Sequence, residues 1–422
     1  MQANKTKVSV IGLGYIGLPT AAVLASVGHN VIGVDVDAHV VETVNRGETH
    51  IVEPDLDGLV GSAVSSGRLR ATQTPEEADA FLIAVPTPFK DSKQPDLIYI
   101  ESAARAIAPK LRKGDLVILE STSPVGATEK LSGWLAEERP DLRFPRLGST
   151  DPADIHLAYC PERVLPGSTV TELVKNDRVI GGMTPDCAAR ARALYQTFVR
   201  GECVLTDART AEMTKLTENS FRDVNIAFAN ELSLICDELS INVWELITLA
   251  NRHPRVNILK PGPGVGGHCI AVDPWFIVDS APESARLIRT AREVNDGKPH
   301  WVLDKVAQAI EATRTRLGRE VTVACLGLAF KPDIDDLRES PALEVAHAII
   351  RAAKNEVLVV EPYIDALPPV LSTHDNAKLV GTDAALAQAD LLVLLVDHAQ
   401  FKTVDRERLA GKAIVDTRGA WA

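Results

Sequence analysis

Short runs of β-branched and aliphatic residues recur through the first third of the chain, with helix-forming stretches between them. The runs are "KVSVIGLG", "NVIGVDVD", "ADAFLIAVPTP", "GDLVILEST" and "IHLAYCPER", each ending in Gly, Pro or polar turn residues. Continuous apolar runs of this length describe strands buried on both faces. Such strands, alternating with helices, build βαβ units with helices covering a parallel sheet. The last quarter of the chain returns to the pattern with "EVTVACLGLAF", "EVLVVEPY", "ADLLVLLVDH" and "KAIVDTRG". The repetition is of type, not of sequence. The expected fold class is α/β, with two Rossmann-like doubly wound domains.

Between the two regions the pattern changes. No Gly or Pro occurs from Glu202 to His253. Within that span, "RTAEMTKLTENSFRDVNIAFANELSLICDEL" carries helical periodicity and predicts one long helix joining the two domains. A chain of 422 residues exceeds a single domain. The expected division is 1–205, 206–314 and 315–422: a dinucleotide-type domain, a central helical domain and a second nucleotide-type domain.

Charge and cysteine usage exclude several function classes. The formal net charge is -12, whereas nucleic-acid and anionic-membrane binders need a cationic face. The apolar N-terminus is broken by Gly12, Gly14, Gly17 and Pro19, so it does not read as a signal peptide. No apolar run reaches the ~20 residues of a membrane span. The six cysteines are spaced widely and irregularly, which fits neither a disulfide framework nor a metal site. A cytoplasmic protein without a metal is expected.

Six stretches carry chemistry. Gly12, Gly14 and Gly17 form "GLGYIG" between a strand and a helix, and Asp35 ends the next strand eighteen residues after Gly17. Such glycines let backbone approach a pyrophosphate at a helix N-terminus, and the acid accepts from ribose hydroxyls while repelling a 2′-phosphate. This predicts NAD rather than NADP. Pro86-Thr87-Pro88 and Glu120-Ser121-Thr122 follow strand ends on the same edge, where Thr87 and Thr122 are placed to bond the cofactor. Lys215, Asn219 and Arg222 share one face of the long helix. In "GLAFKPDIDDLRESP", Lys331 and Arg338 are placed to neutralise a second diphosphate. The sixth stretch, "PGPGVGGHCIAVDP", sets Cys269 among glycines with Asp273 four residues on. A turn with an incidental thiol and a site where a ligand approaches a nucleophile both fit that stretch taken alone.

Together these segments resemble the UDP-glucose/GDP-mannose dehydrogenase family. The likeness runs through "GLGYIGLP", "VPTP", "ESTSPVG", "CPERVLPG", "KLTENSFRDVNIAFANE", "GPGVGGHCIAVDP" and "GLAFKPDIDDLRESP", over essentially the whole chain. "NRHPRVN", "GGHCIAVDPWF" and "PFK" look most like the branch acting on UDP-N-acetyl-D-mannosamine, and Val272 stands where the UDP-glucose branch usually has Lys. The resemblance implies oxidation of a sugar C6 alcohol to a carboxylate with reduction of two NAD, for bacterial surface polysaccharide. It matches Cys269 with the nucleophile, Lys215 with an acid/base residue and Asn219 with an oxyanion partner. It matches Asp273 with the residue that orders water and Glu162 with an assisting acid. Arg163, Val164, Lys215, Asn219, Arg222, His253, Arg255, Gly266, Lys331 and Arg338 match substrate positions. Gly12, Gly14, Tyr15, Ile16, Gly17, Asp35, Thr87 and Thr122 match cofactor positions, and Arg418 does so more loosely. It further implies a homodimer built on the long helix, with Arg255 reaching the neighbour's substrate site.

Overall fold

A computed structural model describes residues 6–90, 93–165, 167–267 and 269–421. The chain divides into two compact units, one of residues 1–218 with Trp275–Ala281 and one of Asn219–Pro274 with Pro282–Ala422. The first unit is built on strands β1 (Lys7–Ile11), β2 (Asn30–Val34), β3 (Leu69–Thr72), β4 (Ala80–Ile83), β5 (Leu116–Leu119), β6 (His156–Tyr159), β7 (Arg178–Gly182) and β8 (Cys203–Asp207). Their order in the sheet is β3-β2-β1-β4-β5-β6-β7-β8. The first six follow the doubly wound order, and every pairing in the sheet is parallel except β6 with β7. The segment between β6 and β7 turns back instead of crossing the sheet, so β7 starts at the edge where β6 ends.

Why these runs become strands is visible in how they distribute side chains. All four residues of β4 and of β5 are buried. Ala80, Leu82, Leu116 and Ile118 feed one apolar cluster, and Phe81, Ile83, Val117 and Leu119 feed the other. Successive side chains on a strand point to opposite faces, so an unbroken apolar run is what a doubly covered sheet requires.

The second unit holds β9 (Val323–Leu326), β10 (Val357–Val360), β11 (Ala377–Leu379), β12 (Leu391–Leu394) and β13 (Ala413–Asp416), ordered β11-β10-β9-β12-β13 and parallel throughout. The two α/β folds expected from the sequence are thus present. The predicted long helix runs from Ala208 to Glu238. A second long helix, Arg286–Leu317, contains Pro299, and its interruption by Gly297 and Pro299 is why the sequence pattern does not reveal it.

The two domains share a backbone device at the end of the first strand. Gly12 has φ +89°, its N–H donates to Val34 O at 2.8 Å, and Leu13 N–H donates to Asp35 Oδ2 at 2.9 Å. Gly327 has φ +91°, its N–H donates to Val360 O at 2.8 Å, and Leu328 N–H donates to Glu361 Oε2 at 2.7 Å. A left-handed turn and an acid on the neighbouring strand therefore shape both loops. They diverge afterwards: the first enters a helix at Gly17, while the second runs through twelve more residues to a helix at Pro341 capped by Ser340.

Candidate active site

In the first unit, the helix Gly17–Ser26 begins with no side-chain cap and no acid in its first turn. Its N-terminal partial charge is thus left for an external anion. Gly17 is packed so closely that a Cβ there would collide with the Gly12 carbonyl, whereas a Cβ at Gly14 would meet open space. Tyr15 is exposed and Ile16 half-exposed beside that opening. Asp35 Oδ2 accepts from Leu13 N–H and Oδ1 from Asp37 N–H, which orients the carboxylate and leaves each oxygen lone pairs for ribose hydroxyls. Thr87 is buried, with a hydroxyl that has no hydrogen-bond partner among the described residues; Thr122 is half-exposed. A vacant space over Gly14, an uncapped helix start and an orphan hydroxyl fit NAD. Sequence reasoning missed His50, whose buried Nδ1 also has no partner among the described residues. Burial pushes its imidazole down, against the opposing charge of Asp35. No spacing rule marks that histidine.

The same unit contains Glu162 and Lys215. Both are buried, and Lys215 Nζ donates to Glu162 Oε1 at 3.0 Å. Glu162 Oε2 accepts the Val164 N–H at 2.9 Å, so the acid is held at both oxygens. Arg163 is half-exposed and pairs with Glu218 at 2.8 Å. Behind them, Glu120 is wholly buried, and burial pushes its carboxyl up to about 7 against the Tyr195 hydroxyl that donates to it at 2.5 Å. A buried pair such as Lys215–Glu162 holds a proton between two defined atoms, the arrangement an acid/base couple requires.

In the second unit, Cys269 is exposed, and its carbonyl accepts the N–H groups of Val272 and Asp273 at 3.2 and 2.9 Å. Asp273 opens the helix Asp273–Ser280. Asn219 Nδ2 donates to Asp273 Oδ2 at 2.5 Å. The structure therefore joins Asn219, Cys269 and Asp273, and Lys215 lies one turn before Asn219 on the same helix. The glycines ahead of Cys269 have a packing reason in addition to ligand approach. A Cβ at Gly266 would press to 2.7 Å from Pro341 and 2.9 Å from Phe330, and one at Gly267 (φ +85°) to 3.0 Å from the Phe330 ring. The Cys269 loop thus lies directly on the second domain's nucleotide-type loop.

The other expected residues are more dispersed. Lys331 is exposed on that second loop, and Arg338, also exposed, bonds Asp336 at 2.6 Å. Arg418 donates to Asp397 Oδ1 at 2.8 Å and to Pro261 O at 3.5 Å, so it touches the stem of the Cys269 loop. Arg222, His253 and Arg255 are exposed, and the Arg255 N–H donates to His253 Nδ1 at 3.3 Å.

Three family models cover the chain in order: the NAD binding domain of the UDP-glucose/GDP-mannose dehydrogenase family over residues 6–199, its central domain over 209–297 and its UDP binding domain over 324–422. The chain belongs to this family and is an NAD-dependent UDP-sugar dehydrogenase. It is 66% identical over 417 residues to the UDP-N-acetyl-D-mannosamine dehydrogenase of Yersinia pestis, covering 98% of this chain and 99% of that one. It is also 66% identical over 415 residues to an NDP-N-acetyl-D-galactosaminuronic acid dehydrogenase of Ralstonia nicotianae, covering 98% and 96%. Among solved structures, the UDP-N-acetyl-mannosamine dehydrogenase of S. aureus superposes with a TM-score of 0.85 at 42% identity, covering 98% of this chain and 95% of that one.

Proposed function

We propose that the chain oxidises the C6 alcohol of UDP-N-acetyl-D-mannosamine to the carboxylate in a four-electron reaction, through a thiohemiacetal and a thioester on Cys269. The observation that carries this reading is the Asn219–Asp273 hydrogen bond beside Cys269; within the first unit, Lys215 bonds the buried Glu162. NAD, when bound, accepts a hydride from C6 at each of the two oxidations. Gly12, Gly14, Tyr15, Ile16, Gly17, Asp35, Thr87 and Thr122 hold it.

The residues of the chain do the rest. The Lys215–Glu162 couple takes the proton lost from the alcohol. The aldehyde has no second alcohol hydride to give until a nucleophile adds to it, and the Cys269 thiolate adds to its carbon. Lys215 and Asn219 hydrogen-bond the oxygen, which carries negative charge as the sulfur adds. Loss of the second hydride and the hydroxyl proton leaves a thioester. Asp273 orients the water that attacks it and takes a proton from that water, and the thiolate leaves as the uronate forms. Arg163, Val164, Arg222, His253, Gly266, Lys331 and Arg338 bind the UDP-sugar, and Arg255 does so in a second copy of a homodimer. Arg418 steadies the loop below Cys269. We place the protein in the cytoplasm; all six cysteines are thiols, and no helix is long and apolar enough to cross a membrane among the described residues.

The 66% identity to the Ralstonia protein favours a second reading, in which the sugar is N-acetylgalactosamine. The test measures NADH formed from UDP-ManNAc, UDP-GalNAc, UDP-GlcNAc and UDP-glucose. Two NADH per sugar, with UDP-ManNAc the most efficient substrate, is the expected result. UDP-GalNAc as the most efficient substrate establishes the second reading, and one NADH per sugar removes the thioester. Cys269→Ser is expected to lower uronate formation at least a hundredfold, and full turnover by that variant rules out covalent catalysis.

A further inference from the structure

The first long helix carries a line of buried polar side chains that the reaction does not use. Asn230 is fully buried. Its Oδ1 accepts the Gly262 N–H at 2.9 Å, and its Nδ2 donates to Asn295 Oδ1 at 2.8 Å. Asn295, on the second long helix, donates through Nδ2 to Asp223 Oδ1 at 2.8 Å and to Asp223 O at 3.1 Å. Arg292 Nη1 donates to the same Asp223 oxygen at 2.6 Å. One turn beyond Asn230, the Ser233 hydroxyl donates to Asn230 O and accepts from Lys298 Nζ, both at 2.6 Å.

Resting on the reading of Cys269 as the nucleophile, we infer that Asn230 is a positioning residue for that cysteine, its amide fastening the start of the Cys269 loop to the long helix. The network dictates how the amide must face. The Asp223 backbone carbonyl can only accept, and Asp223 Oδ1 already accepts from Arg292, so Asn295 turns its NH2 toward Asp223. That leaves the Asn295 oxygen facing Asn230, which must present its own NH2 there and its oxygen to Gly262. The same helix holds the far end of the loop, because Asn219 bonds Asp273. Asn219 and Asn230 are eleven residues apart, about 16 Å along a helix. The loop is therefore pinned at Gly262 and at Asp273, with Cys269 between the pins. A leucine at position 230 would fill the helix contact without the desolvation cost of a buried amide. What the amide adds is a fixed register for the loop.

The test compares Asn230→Ala and Asn295→Ala with the wild type, and with Ile349→Val, a substitution in the apolar core of the second domain. Two quantities are measured on the full-length enzyme: hydrogen exchange of the peptide 261–267, and kcat with the KM for NAD. For Asn230→Ala, we expect exchange to rise at least tenfold and kcat to fall at least tenfold, with KM for NAD within twofold. Asn295→Ala should move both in the same direction by less, and Ile349→Val neither. Unchanged kcat in Asn230→Ala overturns the inference, whether or not exchange rises. If that variant does not fold, unchanged kcat or exchange in Asn295→Ala overturns it. Failure of the reading beneath it shows separately, as uronate formation by Cys269→Ser, and leaves the exchange result standing.

Discussion

Asp35 and Glu120 show how carboxyl groups just past the ends of two strands of one sheet, β2 and β5, serve different ends. Asp35 is half-exposed, and two backbone N–H groups fix its oxygens as acceptors at the cofactor loop. A 2′-phosphate brought to it would meet like charge in a partly desolvated place. Wild-type enzyme should therefore prefer NAD over NADP by at least a hundredfold in kcat/KM, and Asp35→Asn should narrow the gap at least tenfold. An unchanged ratio in the variant removes Asp35 from cofactor selection. Glu120 is the opposite case: burial lifts its carboxyl from 4.5 to about 7. The folded chain then binds more protons than the unfolded chain across that window, so stability falls as pH rises from about 4.5 to about 7. At about 1.4 kcal/mol per pH unit, the loss reaches about 3 kcal/mol. Glu120→Gln keeps an acceptor for Tyr195 but cannot ionise. Its stability relative to wild type, measured by urea unfolding, should rise by about that amount between pH 5 and pH 8. A difference independent of pH would show that Glu120 does not titrate there.

Elements differ in how plainly the sequence announces them. Central strands such as β4 and β5 advertise themselves because all their side chains are buried. Of the edge strands, β3 mixes buried with exposed residues, β8 and β11 have only half-buried and exposed ones, and β11 has three residues only, so no apolar run marks them. The same contrast governs the site. Gly12, Gly17, Cys269 and Asp273 are legible because their spacing follows from the path of the backbone. Asn230, Glu120 and His50 are not, because their roles come from partners far away in sequence, as with Asn230 and Asn295. The first βα turn offers the element-scale test. Gly17→Ala forces a Cβ against the Gly12 carbonyl and must displace the helix start from the end of β1. NAD affinity, read by fluorescence titration, should fall at least tenfold, while UDP affinity, read by calorimetry, stays within twofold. Retained NAD affinity would show that this close packing is dispensable for the cofactor.

At the scale of the whole molecule, the first long helix leaves a row of large apolar side chains without cover. Phe221, Phe228 and Ile235 are 70%, 51% and 44% exposed and follow one another at seven-residue intervals. A straight helix drifts only about 20° per seven residues, so the three form one stripe, with half-buried Leu232 at its margin. Exposed stripes of this kind mark interfaces, and two copies related by a two-fold axis would cover each other's. Arg255 stands exposed in the turn after the next helix, Val243–Ala250. If it completes the substrate site of the second copy, each site draws Cys269 from one chain and Arg255 from the other. Homodimers of Arg255→Ala and of Cys269→Ser should then both be nearly inactive. In a mixed dimer one site collects both defects and the other collects none. Random assembly from equal amounts makes half of the dimers mixed, so about a quarter of wild-type activity should return. The measurement unfolds and refolds the two variants together and follows NADH, with a tag on one variant to confirm exchange. Exchange without recovery would place Arg255 in its own chain's site or in none, and the apolar stripe would then account for dimerisation without shared catalysis.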